Sequence, residues 1–258
     1  GSVLLRAEFP ELRPRALRSY VVDGTYHEAI SLNPRLQFQE FVAKNVGIRR
    51  ARGQYVLTTN TDIYLSRGVI ARLSRRDLER GILYRAARHD LKSNSEVSSI
   101  DFDVLEDERN WEMVNRIKPP RFTNASGDFL LLDGESYRRL RGFNEVYRTA
   151  KIHIDGNFCV KALAAGVPPT DIGAPVYHVG RGTLHAQVGT YRMRPGEAPW
   201  GDMRWNSDVI YVNNSHWGLG LAPERPLDDC TIRLDFDWSA VGPMVELSRV
   251  VLPADPRG

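Results

Sequence analysis

"NVGIRRARGQYVLTTNTD", residues 45–62, decides the fold prediction because it places a helix, a helix stop and a buried strand in succession. Apolar residues recur at roughly helical spacing over residues 38–52, and Gly53 follows where a helix often takes its left-handed terminator. Residues 54–60 are rich in β-branched and aromatic side chains, which is typical of a short buried strand. This helix–strand unit predicts an α/β protein with Asp62 just past the carboxyl end of a strand.

The position of Asp62 has two interpretations. In open α/β sheets ligands bind outside the carboxyl ends of the strands, so an acid there is well placed to hold a metal ion or a polar ligand. The alternative is that Asp62 caps the helix predicted over residues 66–73 or stabilises a turn. The residue alone does not decide between these two roles.

The composition favours one globular α/β domain. The chain has 258 residues, of which 42% are hydrophobic and 26% charged, and its net charge of +3 does not predict a nucleic-acid-binding face. Its two cysteines form no metal-type or disulfide pattern, which fits a reducing compartment. No apolar run reaches the roughly 18 to 20 residues that span a bilayer. We therefore expect a cytoplasmic protein, with any membrane association arising through partners.

A second informative segment covers residues 124–169. Gly127 and Asp128 precede a strand predicted over residues 129–132, and a short helix predicted over residues 135–140 ends near a glycine. Residues 154–165 are also predicted to be helical, with Asp155 in the first turn. The simplest role of Asp155 is to interact favourably with the helix dipole there.

Two later positions carry groups that suit ligand binding. A short strand within residues 174–185 is predicted to end at His178, which fits either a metal ligand or a hydrogen-bonded structural group. Trp217 lies in the segment NNSHWGLG, residues 213–220, where its ring fits either a sugar face or the core.

Taken together, these segments resemble nucleotide-sugar glycosyltransferases of the GT-A fold, family-2-like, with a galactosyltransferase-type C-terminal motif. The pattern A-x-N-x-G-x-x-x-A-x-G-x-Y-x-x-x-x-D-x-D is matched at the following positions: Asn45, Gly47, Ala51, Gly53, Tyr55 and Asp62. The second segment matches G-F-x-E followed by an acid at Asp155. The resemblance implies a GT-A-like, mixed and mostly parallel sheet flanked by helices. It also implies inverting sugar transfer from a nucleotide diphosphate donor to a glycan or other hydroxyl acceptor, as in polysaccharide biosynthesis.

The same resemblance assigns roles to individual residues. Asp155 is then the general base, and Asp62 and His178 hold a divalent cation, Mn²⁺ or Mg²⁺. The donor-binding residues implied are Asp23, Asn45, Asn60 and Arg181, and the acceptor-binding residues are Gly127, Asp128 and Trp217. The chain departs from the pattern at Asn60, where the family has an acid, and an amide is a poorer ligand for a hard cation than a carboxylate.

The ends of the chain leave alternatives open. Residues 19–22 are predicted to form a strand before Asp23, either as the nucleotide-contacting first strand or as the third strand of a fold whose first strands lie upstream or are missing. We expect a GT-A-like domain over residues 1–222 and, over residues 223–258, an extension or the start of a further domain. Residues 89–120 are predicted to form a long loop or irregular insertion.

Two rival functions remain at this point. One is a non-catalytic GT-A-like domain that binds a glycan or a partner within a larger polysaccharide-synthesis protein, and the incomplete acidic motif favours it. The other is a nucleotidyltransferase acting on sugar phosphates. That rival needs a glycine-rich and basic phosphate loop after the first strand, and the sequence contains none.

Overall fold

The computed structural model describes residues 17–31, 39–92, 101–145, 154–179, 209–235 and 248–251. Helices and short strands alternate in these ranges, which confirms the predicted α/β class with mixed sheets. The longest of the helices have 11 residues, and none in the described ranges is both long and apolar enough for a bilayer crossing. The helices are α1 Gly24–Ile30, α2 Glu40–Arg50, α3 Arg67–Ser74, α4 Phe102–Glu106, α5 Gly134–Leu140 and α6 Ile154–Ala164, with 3₁₀ turns at Glu108–Asn110 and Ser126–Asp128. The strands are β1 Ser19–Val22, β2 Tyr55–Thr58, β3 Ile63–Leu65, β4 Leu83–Arg85, β5 Arg88–Leu91, β6 Trp111–Asn115, β7 Leu130–Asp133, β8 Pro169–Asp171, β9 Val176–His178, β10 Val209–Val212, β11 Glu224–Pro226, β12 Thr231–Leu234 and β13 Ser248–Val251.

Two four-stranded sheets share a continuous stretch of chain. Their strand orders are β2-β7-β4-β8 and β3-β9-β5-β6, and residues 86–87 lead from β4 directly into β5. The sheets are mixed, as predicted, yet antiparallel pairings outnumber parallel ones in the described residues. The reason is that β7 lies antiparallel between β2 and β4, while β9 lies antiparallel to β3.

Strand β7 is buried on both faces, and this explains its uninterrupted apolar sequence. Leu130 and Leu132 face the core cluster formed with α2, α5 and α6, whereas Leu131 belongs to the cluster on the other face with α3. Tyr137 of α5 stacks on Phe158 of α6 with ring centroids 5.2 Å apart. The helices thus cover the sheet and leave its edge at the end of β2 for the polar side chains described below.

A separate sheet joins the two ends of the described chain. Strand β1, predicted at these same residues, pairs in parallel with β12, and β11 pairs with β12 in the opposite direction. Leu234 of β12 is buried in a cluster with Tyr26 and Ile30 of α1. Residues 224–234 therefore pack against the amino-terminal elements, while the proposed division at residue 222 stays a prediction.

The structure corrects the prediction for residues 89–120. This stretch contains the end of β5, then α4 and β6, and β6 pairs antiparallel with β5. Strand β6 is an edge strand on which both Met113 and Val114 are exposed, at 50% and 41%. Its apolar residues therefore do not alternate with polar ones, which is the pattern by which a half-buried strand is recognised.

Candidate functional site

The side chain of Asn45 joins the two segments that carry the resemblance. Its Oδ1 accepts a hydrogen bond from the backbone N–H of Phe143 at 2.7 Å, and its Nδ2 donates to Phe143 O at 2.8 Å and to Glu145 Oε1 at 2.9 Å. Asn45 is 0% exposed. The Asn45 amide is engaged at both ends inside the core, and its binding to a donor stays a prediction that these contacts do not support.

Trp217 also belongs to this buried junction. Trp217 is 4% exposed, and the guanidinium carbon of Arg49 lies over its ring, 5.4 Å from the ring centroid. Gly142 has a φ of +62°, and a Cβ at that position would clash with both Asn45 and Trp217. Trp217 is packed in the core, and its contact with an acceptor stays a prediction that this burial does not support.

Asp62 and His178 lie together at the edge of the sheet. Asp62 comes directly before β3, and His178 is the last residue of β9. The two strands pair with Ile63 opposite His178. Nε2 of His178 lies 3.2 Å from Asp62 Oδ2, and Nδ1 lies 2.7 Å from Asp90 Oδ1. Hydrogen bonds to Asp62 and Asp90 raise the pKa of His178 to about 9 despite its burial. At neutral pH His178 is thus a cation between two carboxylates.

The cap interpretation of Asp62 is excluded. Ser66 is the N-cap of α3, and its Oγ accepts a hydrogen bond from Val69 N at 3.1 Å. The Oδ1 atom of Asp62 is buried and has no hydrogen-bond partner among the described residues. Asp62 therefore offers an acceptor that helix capping does not use.

Arg88 extends the cluster toward the 3₁₀ turn. Its Nη1 donates to Asp128 Oδ2 at 2.8 Å, and its Nη2 donates to Asp90 Oδ2 at 3.2 Å. Burial raises the pKa of Asp128, and the charge of Arg88 acts in the opposite direction. Asp128, predicted as an acceptor-binding residue, therefore lies within the same polar cluster as His178.

Asn60, at the position where the family has an acid, is held between two charged side chains. Its Oδ1 accepts a hydrogen bond from Lys44 Nζ at 2.5 Å, and its Nδ2 donates to Asp128 Oδ1 at 2.8 Å. An aspartate at this position could not donate, and its carboxylate would lie against that of Asp128. The amide therefore suits its neighbours, although it supplies no ligand for a cation.

Asp155 contacts the same turn from α6. Its Oδ2 accepts hydrogen bonds from Ser126 Oγ at 2.7 Å and from Gly127 N at 2.6 Å. A Cβ on Gly127 would lie 3.3 Å from that oxygen, which is tighter than most contacts, so the glycine permits the close approach. No hydrogen bond to Oδ1 is found among the described residues.

One predicted donor-binding residue, Asp23, lies in another part of the described structure. Asp23 accepts hydrogen bonds from Thr25 N and Oγ1 as the N-cap of α1, and it pairs with Arg233 at 2.9 Å. No hydrogen bond or ion pair within the described ranges links Asp23 to Asp62 or His178. Arg181 lies outside the described residues.

Sequence reasoning did not select Lys44, Arg88, Asp90 or Ser126. Arg88 and Asp90 alternate on β5 and therefore project from the same face of the sheet. That signal is present in the sequence, but it has meaning only once β5 is recognised as a strand. For Lys44 and Ser126 the sequence offers no comparable signal, because the cluster residues that they contact, Asn60 and Asp155, lie more than fifteen positions away.

The donor set at Asp62 fits a divalent cation only in part. The described residues contain no group of three or more His, Cys, Asp or Glu side chains suited to a metal ion. Oδ1 of Asp62 nevertheless has no partner among the described residues, and Nε2 of His178 would bind a cation after releasing the proton that it shares with Asp62, while Asp90 orients the ring through Nδ1, as carboxylates do for metal-binding histidines. The protein would thus supply two ligands, and the donor's phosphates or water the rest.

Comparisons with known proteins give little further identification. No family description and no curated protein matches the chain. Among solved structures, the chain is similar to the catalytic domain of Drosophila beta1,4-galactosyltransferase 7, solved in complex with xylobiose. The identity is 13%, the match covers 86% of this chain and 95% of that chain, and the TM-score is 0.40. A similarity of this size assigns neither a family nor an activity.

Proposed function

We propose that the protein is an inverting glycosyltransferase that moves a sugar from a nucleotide diphosphate donor to a hydroxyl acceptor of a glycan. One observation carries the proposal. Two carboxylates, on Asp62 and Asp155, lie at the two ends of one polar cluster: hydrogen bonds run from Asp62 through His178, Asp90 and Arg88 to Asp128, and the neighbouring Gly127 N–H donates to Asp155. Such an arrangement provides one end for the donor's leaving group and another for the acceptor.

At the acceptor end, Asp155 is the general base. The acceptor oxygen bonds to the anomeric carbon as the bond to the diphosphate breaks, and the bonding electron pair leaves with the diphosphate. Oδ1 of Asp155 takes the hydroxyl proton, while Ser126 and Gly127 hold Oδ2. A single displacement of this kind inverts the anomeric configuration.

At the donor end, Asp62 and His178 would hold Mn²⁺ or Mg²⁺, and Asp90 orients the imidazole. When bound, the cation supplies positive charge that stabilises the leaving nucleoside diphosphate. Lys44 lies behind Asn60 and also donates to Gly127 O at 3.1 Å, so its charge lies between the two ends of the cluster. Asn60 therefore acts by holding the cluster in place instead of binding the cation.

The proposal is tested by incubating the protein with a panel of nucleotide sugars and hydroxyl acceptors, with Mn²⁺, and measuring the products. We expect free nucleoside diphosphate in equal amount to the transferred sugar, and release about 10² to 10⁴ times slower from Asp155→Asn. Nucleotide binding without release would support the non-catalytic binding domain, which the amide at Asn60 favours. Release of pyrophosphate would identify a nucleotidyltransferase instead.

A further inference from the structure

Arg85, on β4, is a fully buried cation whose partners are all backbone carbonyl groups. Its side chain is 0% exposed, and its guanidinium donates to Phe122 O at 3.1 Å, to Asn124 O at 2.8 Å and to Ser126 O at 3.2 Å. It also donates to Phe129 O. No acid within the described ranges forms an ion pair with Arg85. Burying a charge costs free energy unless its N–H donors are hydrogen-bonded, so the buried Arg85 requires the four carbonyl groups to stay in these positions.

The four acceptors belong to one short segment, residues 122–129, which carries Ser126 and Gly127. Phe122 and Ala125 in this segment have φ values of +49° and +48°, a left-handed conformation that non-glycine residues adopt only when the surroundings enforce it. The local sequence therefore does not account for the shape of the segment. Arg85 does, because its fixed fork of N–H groups draws the carbonyl groups toward one point.

The orientation of these peptide groups determines what the segment presents on its other side. The carbonyl groups of Asn124 and Ser126 point toward Arg85, and the peptide that follows Ser126 O ends in the N–H of Gly127. That N–H donates to Asp155 Oδ2 at 2.6 Å, beside the Ser126 hydroxyl at 2.7 Å. A shift of the Ser126 carbonyl would rotate the same peptide plane and turn its N–H away from Asp155.

We propose that Arg85 is a positioning residue for Asp155: by holding the carbonyl groups of residues 122–129 it fixes the two donors that orient the carboxylate. The inference rests on the proposed function, because it takes Asp155 as the general base. Arg85 contacts no substrate in this account and acts only through the segment.

The test compares Arg85→Lys with a matched control, Arg49→Lys, whose guanidinium donates to the carbonyl groups of Ser215 and Trp217 away from the cluster. We expect Arg85→Lys to lower kcat by about 10-fold to 100-fold with little change in the donor KM, because a lysine cannot bind four carbonyl groups. In an Asp155→Asn background the same substitution should cause little further loss, since the two residues act in one chain of contacts. An equal loss in both backgrounds would overturn the proposal.

Amide hydrogen exchange separates this inference from the proposed function. We expect faster exchange at Gly127 N–H in Arg85→Lys, with the free energy of global unfolding close to that of the Arg49→Lys control. Absence of sugar transfer in the parent protein would contradict the proposed function and leave this measurement to decide the role of Arg85. Unchanged exchange at the Gly127 N–H would overturn the proposal that Arg85 positions Asp155. If Arg85→Lys and Arg85→Gln both fail to fold while Arg49→Lys folds, Arg85 is a structural requirement only, and the proposal is likewise overturned.

Discussion

Two polar networks in this protein each link residues 45–62 to residues 124–169. One network is buried, and the other is partly exposed to solvent. The buried network joins Asn45 to Phe143 and Glu145, and the Lys161 ammonium donates to Gly142 O beside it. The open network runs from Asp62 through His178. Asn45 is 0% and Lys161 1% exposed, whereas the Asp62 side chain is 44% exposed.

The comparison shows how structural and functional residues can be separated within one motif. In the buried network the polar atoms of Asn45 bond to the protein itself, which leaves no place for a ligand. In the open network Asp62 and Asp155 each keep an oxygen without a partner among the described residues. Carboxylate oxygens without a protein partner, and not membership of the motif, mark the residues that can do chemistry.

The largest expected effect is on the open network. Asp155→Asn keeps the shape of the side chain and removes the base, so we expect normal folding and donor binding with turnover about 10² to 10⁴ times slower. The measurement is kcat for sugar transfer, with the anomeric configuration of the product followed by NMR. Near-parental turnover, or a product with retained configuration, would remove Asp155 from the role of base.

The next effect concerns the buried network. Asn45→Ala removes hydrogen bonds to Phe143 N, Phe143 O and Glu145, and leaves Phe143 N buried without a partner among the described residues, while Asn213 and Gly218 still donate to Phe143 O and Glu145. We expect the free energy of unfolding to fall by about 3 kcal/mol. Asn60→Ala, the matched change in the open network, should cost less than about 1 kcal/mol because water can replace the amide. Equal losses in denaturant titrations would mean that exposure does not distinguish the networks.

The smallest effect is the pH dependence of stability, which should have opposite signs in the two networks. Burial lowers the pKa of Lys161 from 10.5 to about 7, so between these values only the unfolded chain holds the proton, and this contribution to stability rises with pH. Hydrogen bonds to Asp62 and Asp90 raise the pKa of His178 from 6.5 to about 9, so its contribution falls as pH rises through that window.

Two variants isolate these contributions. Subtracting the unfolding free energies of His178→Gln from those of the parent at several pH values should give a difference that falls from pH 6.5 to 9. The same subtraction with Lys161→Met should give a difference that rises from pH 7 upward. Slopes of the same sign for both variants would contradict the assignment of charges.

The local elements of the fold could be predicted from the sequence, whereas their partners could not. Strand β1 was predicted at its observed residues, and α2 and α6 within two residues at each end. Hydrophobic period and glycine stops are local signals and sufficed for these elements. Strand β7 pairs antiparallel with β2, and β1 pairs with a strand more than two hundred residues away. Both pairings depend on tertiary contacts that no local pattern encodes.

The candidate site was predictable to a similar degree. The sequence selected Asp62, His178 and Asp155, and the structure places the first two 3.2 Å apart, while their roles stay predictions. It also selected Asn45 and Trp217, whose burial could not be read from spacing, because a motif records which residues recur and not which of them face solvent. Arg88 and Asp90 were missed because their strand was not recognised.

The measurement that tests the central claim most directly is nucleotide binding at Asp62. Thermal unfolding of the parent and of Asp62→Ala would be followed with a panel of nucleoside diphosphates, with Mn²⁺ and with a chelator. We expect at least one nucleotide to stabilise the parent in the presence of Mn²⁺, by about 2.7 kcal/mol at 100 times its dissociation constant, and to have little effect on the variant. Equal stabilisation of parent and variant, or none by any nucleotide, would contradict the assignment of this edge of the sheet as the donor site.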